Sequence, residues 1–147
     1  MTGTYVYGTS TEQWIQGKRG KAINFDGAGD YVTIPNFTWT GGGPITVSFW
    51  NYVATADVGS SAFAANDNAV TTNRLQAHVP FSDNNVYWDY GDIGGNGRIS
   101  TSYANYLNKW TLVTLVSEGI SGRFKAIYLD GVLANSAVSS DGPSTRT

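Results

Sequence analysis

Few residues in this chain could do chemistry, and their spacing limits what that chemistry could be. There are two glutamates, Glu12 and Glu118, far apart in sequence, and a single histidine, His78. Asp89 and Asp92 lie three positions apart in YWDYGDIG. Glycoside hydrolysis needs two carboxyl groups flanking the scissile bond. Asp89 and Asp92 are the nearest approach to such a pair, but aspartates beside glycines more commonly hold a loop edge by hydrogen bonding. A Ser–His–acid triad would have to use His78, which stands with Arg74 and Gln76 on a polar strand face and reads instead as a surface or binding residue. There is no cysteine, hence no disulfide and no thiolate zinc site. Phosphate-loop, dinucleotide and His-rich metal motifs are also missing. Oxygen ligands for a hard cation such as calcium could come from Asp26 and Asp30, or from the loops at 66–68 and 83–85. The same residues serve equally as turn formers, and that reading is preferred.

Binding chemistry is better represented. Trp50, Tyr52, Arg74, Gln76, His78, Tyr87 and Asp89 fall on polar-aromatic strand faces. Aromatic rings stack on the C–H faces of sugars, while amide, carboxylate and guanidinium groups bond the hydroxyls, as in other small-molecule sites. Were these strands neighbours in one sheet, the seven side chains would form a single concave patch. The alternative places Trp50 and the tyrosines half-buried under loops. Trp88 and Trp110 read as core.

The elements that must position these residues are strands. Among 147 residues there are 18 glycines, 14% aromatic and only 14% charged residues, so helix formers are scarce and β-branched, aromatic and turn residues abundant. Candidate strands recur between Gly, Asn, Asp and Pro breakers: AINF at 22–25, YVTIP at 31–35, ITVSFWNYV at 45–53, a weaker one at 61–65, RLQAH within 73–81, VYWDYG at 86–91 and RIST at 98–101. WTLVTLVS at 110–117 is apolar on both parities, as in a strand buried on both sides. FKAIYLD at 124–130 pairs with GVLAN across Asp130-Gly131. The one helix candidate, 102–107, is too short to stand alone. The expectation is an all-β, antiparallel two-sheet sandwich.

In order, GKRGKAINFDGAGDYVTIPN, ITVSFWNYV, KWTLVTLV and KAIYLDGVL resemble the laminin-G-like, concanavalin A-like lectin/glucanase jelly-roll family over about residues 17–135. The resemblance implies a jelly roll. Glycosidases of this fold usually carry their carboxylates in a Glu-x-Asp-x-x-Glu strand, which this sequence lacks. Related folds often hold calcium. The usual closing strands after Tyr-x-Asp-Gly are not matched, so the N-terminal segment (residues 5–7 and 14–15) or a partner chain is expected to pair the edge left open, a reading preferred slightly over the chain being a fragment of a longer product. The division expected is an N-terminal segment or arm at 1–16, the sandwich at 17–138 and a flexible tail at 139–147.

The net charge is −2, from 9 basic and 11 acidic residues, and the basic residues are scattered apart from Lys18, Arg19 and Lys21. Nucleic acid is therefore not an expected partner. No stretch approaches the roughly 18 apolar residues of a membrane helix, and no signal peptide is visible. An extracellular, cell-surface or virion setting is favoured. The function expected is a non-catalytic module binding carbohydrate or a glycoprotein surface. The alternative is an assembly module, such as a virion decoration, cement or adhesin protein, joining copies or partners by strand addition. A glycosidase ranks third.

Overall fold

The computed structural model describes residues 4–6, 14–35, 42–56, 59–65, 74–93, 97–119 and 124–138. Glu12, the loop at 66–68 and the tail at 139–147 lie outside the described residues. The chain separates into two compact units, residues 1–37 and 38–147.

The first unit holds four short strands, β1 (Thr4–Val6), β2 (Trp14–Gln16), β3 (Lys21–Ile23) and β4 (Tyr31–Thr33). β2 pairs antiparallel with β3, Trp14 opposite Ile23, across a turn closed by Gly17 N–H donating to the Gly20 carbonyl at 2.8 Å. β1 pairs antiparallel with β4, Thr4 opposite Thr33. The N-terminal residues thus supply strand partners for the two strands that flank the Phe-Asp-Gly turn. In that turn Asp26 Oδ1 accepts the Ala28 N–H at 2.7 Å, and Asp30 Oδ2 accepts the Asp26 N–H at 3.0 Å. Both candidate calcium ligands thus also serve the turn, Asp26 as its Asx residue and Asp30 as a brace across it.

The second unit contains the sandwich. One antiparallel sheet runs β12-β11-β10-β5, built from β5 (Ile45–Asn51), β10 (Thr111–Ser117), β11 (Phe124–Leu129) and β12 (Val132–Val138). The other runs β6-β7-β8-β9, from β6 (Phe63–Ala64), β7 (Arg74–His78), β8 (Asn85–Gly91) and β9 (Arg98–Ser102). Strand alternation decides what each sheet buries. Leu75, Ala77, Val86, Trp88, Tyr90 and Ile99 of the second sheet meet Val113, Leu115, Ile127 and Leu129 of the first in one core. Trp88 is fully buried, and its indole N–H donates to the Val116 carbonyl across the sandwich at 2.9 Å. That bond removes the cost of a buried donor while the ring supplies apolar area.

β10 is not buried on both faces as its apolar run suggests. Thr111, Val113, Leu115 and Ser117 are buried, whereas Leu112, Thr114 and Val116 are half-buried on the outer face. Trp110 is not core either: it is half-buried and packs on Tyr52, ring centroids 5.7 Å apart. Only a single 3-10 turn, Ala104–Tyr106, forms where the helix was expected.

The β11–β12 hairpin turns on two residues, Asp130 and Gly131, with φ of 53° and 80°. Two successive positive φ values define the turn whose twist matches antiparallel strands. The Asp130 carboxylate then accepts the Leu112 N–H at 2.8 Å, tying the turn to β10. Lys125, 1% exposed, points into the sandwich and donates from Nζ to the carbonyls of Tyr90 and Gly97. It thereby pins the end of β8 and the start of β9 to the opposite sheet.

Candidate functional site

The residues of β7 and β8 that turn away from the core form the candidate site. Register sets Gln76 opposite Asp89 and His78 opposite Tyr87. On the other flank of β8, Arg98 of β9 lies opposite Asp89 and Ser100 opposite Tyr87. Five of the seven residues expected to bind, Arg74, Gln76, His78, Tyr87 and Asp89, are thus brought to one sheet face. Trp50 and Tyr52 are not. They belong to or follow β5, in the opposite sheet, and point outward from it, so no patch can contain all seven. The reason is topological: consecutive strands β5 and β6 cross between sheets, a step that strand alternation does not encode.

The centre of the face is an ion pair. Asp89 is completely buried, and Arg98 grips it side-on, Nε to Oδ1 and Nη2 to Oδ2, both at 2.6 Å. Arg74 Nη1 stands 3.8 Å from the same carboxylate and donates to Gln76 Oε1 at 3.3 Å. The hydrogen bonds to Asp89 hold the Arg98 guanidinium above even its ordinary high value. The guanidinium carbon lies 4.5 Å from the centre of the Tyr87 ring, a cation–π contact.

Next to it, Phe81, His78 and Tyr87 pack edge to face, with centroids 4.8 to 6.2 Å apart. Asp83 sits in the turn between β7 and β8. Its Oδ1 accepts the Asn85 N–H at 3.0 Å, and its Oδ2 accepts the Tyr87 hydroxyl. These bonds, that from Tyr87 foremost, hold the Asp83 carboxyl below the usual carboxylate value. The same bond holds the Tyr87 hydroxyl above the ordinary phenol value, because ionising it would set two anions side by side. His78, Phe81, Asp83, Tyr87 and Arg98 together line a cavity of about 130 Å³.

Two expected binding residues are more enclosed than an open patch would have them. Gln76 and His78 are 8% and 7% exposed. The segment before β6 covers them: His78 Nδ1 donates to the Ser60 carbonyl at 2.7 Å, and Gln76 Nε2 donates to Ser61 Oγ at 2.5 Å. With its proton on Nδ1, His78 accepts at Nε2 from Gln76 Nε2, 3.3 Å away. The imidazole is therefore oriented by a backbone carbonyl, where a Ser–His–acid triad has a carboxylate. Asp89 commits both oxygens to Arg98, and Asp92 lies beyond the end of β8, where its carbonyl accepts the Gly97 N–H at 2.6 Å. Among the described residues no three His, Asp or Glu side chains gather as metal ligands.

Arg98 and Phe81 were not singled out by sequence, and Asp83 only within a candidate calcium loop. Arg98 opens a short strand after a Gly-rich loop, and only the β8–β9 register reveals its partner. Gly97 makes that register possible: a Cβ there would lie 2.2 Å from the Asp92 carbonyl oxygen.

A family model described as the concanavalin A-like lectin/glucanases superfamily matches residues 26–147. No curated protein and no solved structure matches the chain.

Proposed function

Because the chain belongs to the concanavalin A-like lectin/glucanases superfamily, we propose that its second unit is a non-catalytic module that binds carbohydrate at the outer face of the β6-β7-β8-β9 sheet. The observation that carries the reading is the cavity between Asp83, Tyr87 and Arg98. It joins aromatic surface to a carboxylate and a guanidinium whose positions are fixed by bonds within the protein. Fixed polar groups lower the ordering cost of binding, which is what a weak, hydroxyl-rich ligand needs. The fold alone would not carry this reading, since it hosts both lectins and hydrolases. The test is a glycan array probed with the whole chain, with and without added calcium, alongside Arg98→Ala. Binding that the substitution abolishes supports the site. An array with no binder under either condition refutes the carbohydrate reading, and binding only with added calcium brings back the cation question.

The second reading, assembly by strand addition, draws on β12. All seven of its residues are exposed, Val132 and Val138 by 66% and 73%, and among the described strands it pairs in a backbone ladder only with β11. It carries no charge and no proline, two common protections of an edge. A register shift where Ile127 and Tyr128 meet β12 supplies a third, a bulge. We rank this reading below the first. A sedimentation profile showing a monomer at high concentration overturns its homo-oligomeric form.

A further inference from the structure

Resting on the carbohydrate reading, we infer that the cavity selects neutral sugars over acidic ones. Two adjacent hydroxyls hold the sugar, one donating to Asp83 and its neighbour accepting from Arg98, and the charge of Asp83 turns away a sugar carboxylate.

The arginine at the cavity is already matched by a charge of the protein's own. Arg98 meets Asp89 through Nε and Nη2, which leaves the Nη1 edge outside the ion pair as a donor. Its positive charge is balanced by a carboxylate with no exposure to solvent. Among the described residues the face carries Arg74 and Arg98 against Asp83 and Asp89, two charges of each sign, with no net positive charge. Asp83, by contrast, is exposed, and the bonds it accepts keep it ionised through the neutral range. It is the charge that an incoming ligand meets.

The hydrogen-bond inventory leads to the same ligand. Asp83 Oδ1 accepts the Asn85 N–H and Oδ2 the Tyr87 hydroxyl, and the Asn85 side chain also acts on the carboxylate. As an exposed carboxylate, Asp83 keeps acceptor capacity for a ligand. The Tyr87 hydroxyl donates its hydrogen bond to Asp83, so toward a ligand it can act only as an acceptor. His78 has both nitrogens engaged and contributes ring surface, not a proton. What remains is a carboxylate acceptor and a guanidinium donor flanking one aromatic ring. A pair of neighbouring hydroxyls satisfies both, since each hydroxyl can donate and accept. A uronate keeps such a hydroxyl pair, but its carboxylate can satisfy only the donor and brings a second negative charge toward Asp83. At about 130 Å³ the cavity is smaller than the roughly 300 Å³ and above typical of sites that enclose a whole ligand. It takes one edge of a single ring, as at the end of a glycan chain.

The test compares matched pairs by isothermal titration and saturation-transfer NMR on the whole chain. The pairs are methyl glucoside against methyl glucuronide, and methyl galactoside against methyl galacturonide. The expected result is that at least one neutral sugar binds ten or more times more tightly than its acidic partner. In Asp83→Asn, at an exposed position where the fold is not at risk, that ratio should fall toward unity. Acidic sugars binding as tightly as neutral ones, or a ratio unchanged in Asp83→Asn, overturns the selectivity and leaves the carbohydrate reading standing. Failure of every neutral and acidic sugar to bind, on the array and in these titrations, overturns the carbohydrate reading and the selectivity with it.

Discussion

Asp89→Asn is the substitution that probes the site's architecture most directly. The side chain keeps its shape and one acceptor oxygen but loses its charge. Removing one partner of a fully buried ion pair costs roughly 3–5 kcal/mol, because the other charge is left unbalanced in a poorly solvated place. Here the partner is not fully buried: the Arg98 side chain is 31% exposed and the Asp89 side chain 0%. Water can reach part of the guanidinium, so the loss should be smaller, about 2–3 kcal/mol. Arg74, 3.8 Å from the same carboxylate, would also lose that ion pair.

The pairing can be isolated by a double-mutant cycle. Arg98→Met alone leaves Asp89 buried without its main counter-charge and should cost at least as much as Asp89→Asn. The double variant removes both charges, so its cost should fall well short of the sum of the two, with a coupling of roughly 1.5–3 kcal/mol. Urea titrations followed by far-UV circular dichroism measure all four states. For a chain of this length a loss of 2–3 kcal/mol lowers the melting temperature by roughly 6–12 °C. A cost below about 0.5 kcal/mol for Asp89→Asn, the range of an ordinary surface change, would refute the reasoning. So would strict additivity in the cycle.

Three further outcomes are expected. Gly97→Ala would place a Cβ 2.2 Å from the Asp92 carbonyl oxygen, so the loop must move; the loss should exceed about 1.5 kcal/mol in urea titration, with weakened ligand binding because Arg98 moves with it. Gly131→Ala meets no atom within 4 Å but sits at φ of 80°, so about 1 kcal/mol should be lost on conformational grounds alone, and Gly131→Asn should recover most of it, as read by thermal melts. The Asp83 carboxyl is held below its ordinary value by Tyr87 and Asn85, so its contribution is present above that value and is lost as pH falls through the lowered one. Asp83→Asn should therefore flatten the acid limb of stability below about pH 4 and leave the neutral plateau unchanged in slope, as measured by urea midpoints across pH.

The strands were legible because their signals are local. Alternation in RLQAH and VYWDYG follows from one face meeting the core and the other not, and it holds for Leu75, Ala77, Val86, Trp88 and Tyr90. The Asp130-Gly131 turn was legible because two positive φ values favour a short list of residues. WTLVTLVS misled because hydrophobicity reports what a residue tolerates, not what covers it. Leu112 and Val116 face outward from the sandwich, half-buried among neighbours on their own sheet face. The N-terminal pairing was half legible: the open edge could be anticipated, but which segment pairs with which strand depends on register between short strands, and three-residue strands carry almost no register information.

The site was legible as a set of residue types and illegible as an arrangement. Gln76, His78, Tyr87 and Asp89 could be placed together because β7 and β8 are consecutive and joined by a short turn, which fixes their register. Trp50 and Tyr52 resemble them in every local respect and yet lie on the other sheet, because the assignment of β5 to a sheet is decided by long-range pairing with β10. Arg98 shows the converse. Nothing near it in sequence marks it for function, but a glycine that only the Gly97 position can accept, next to an arginine opposite a buried aspartate, is a constraint with a physical cause. A buried carboxylate on a strand must have a cationic or hydrogen-bonding partner across that strand. In a sheet with Gln76 on one side of Asp89, the charge that balances it is most economically supplied from the other side, where β9 begins. Burial of Asp89 therefore accounts for the arginine at the mouth of the cavity, and the same ion pair that stabilises the sheet fixes the donor that a ligand would meet.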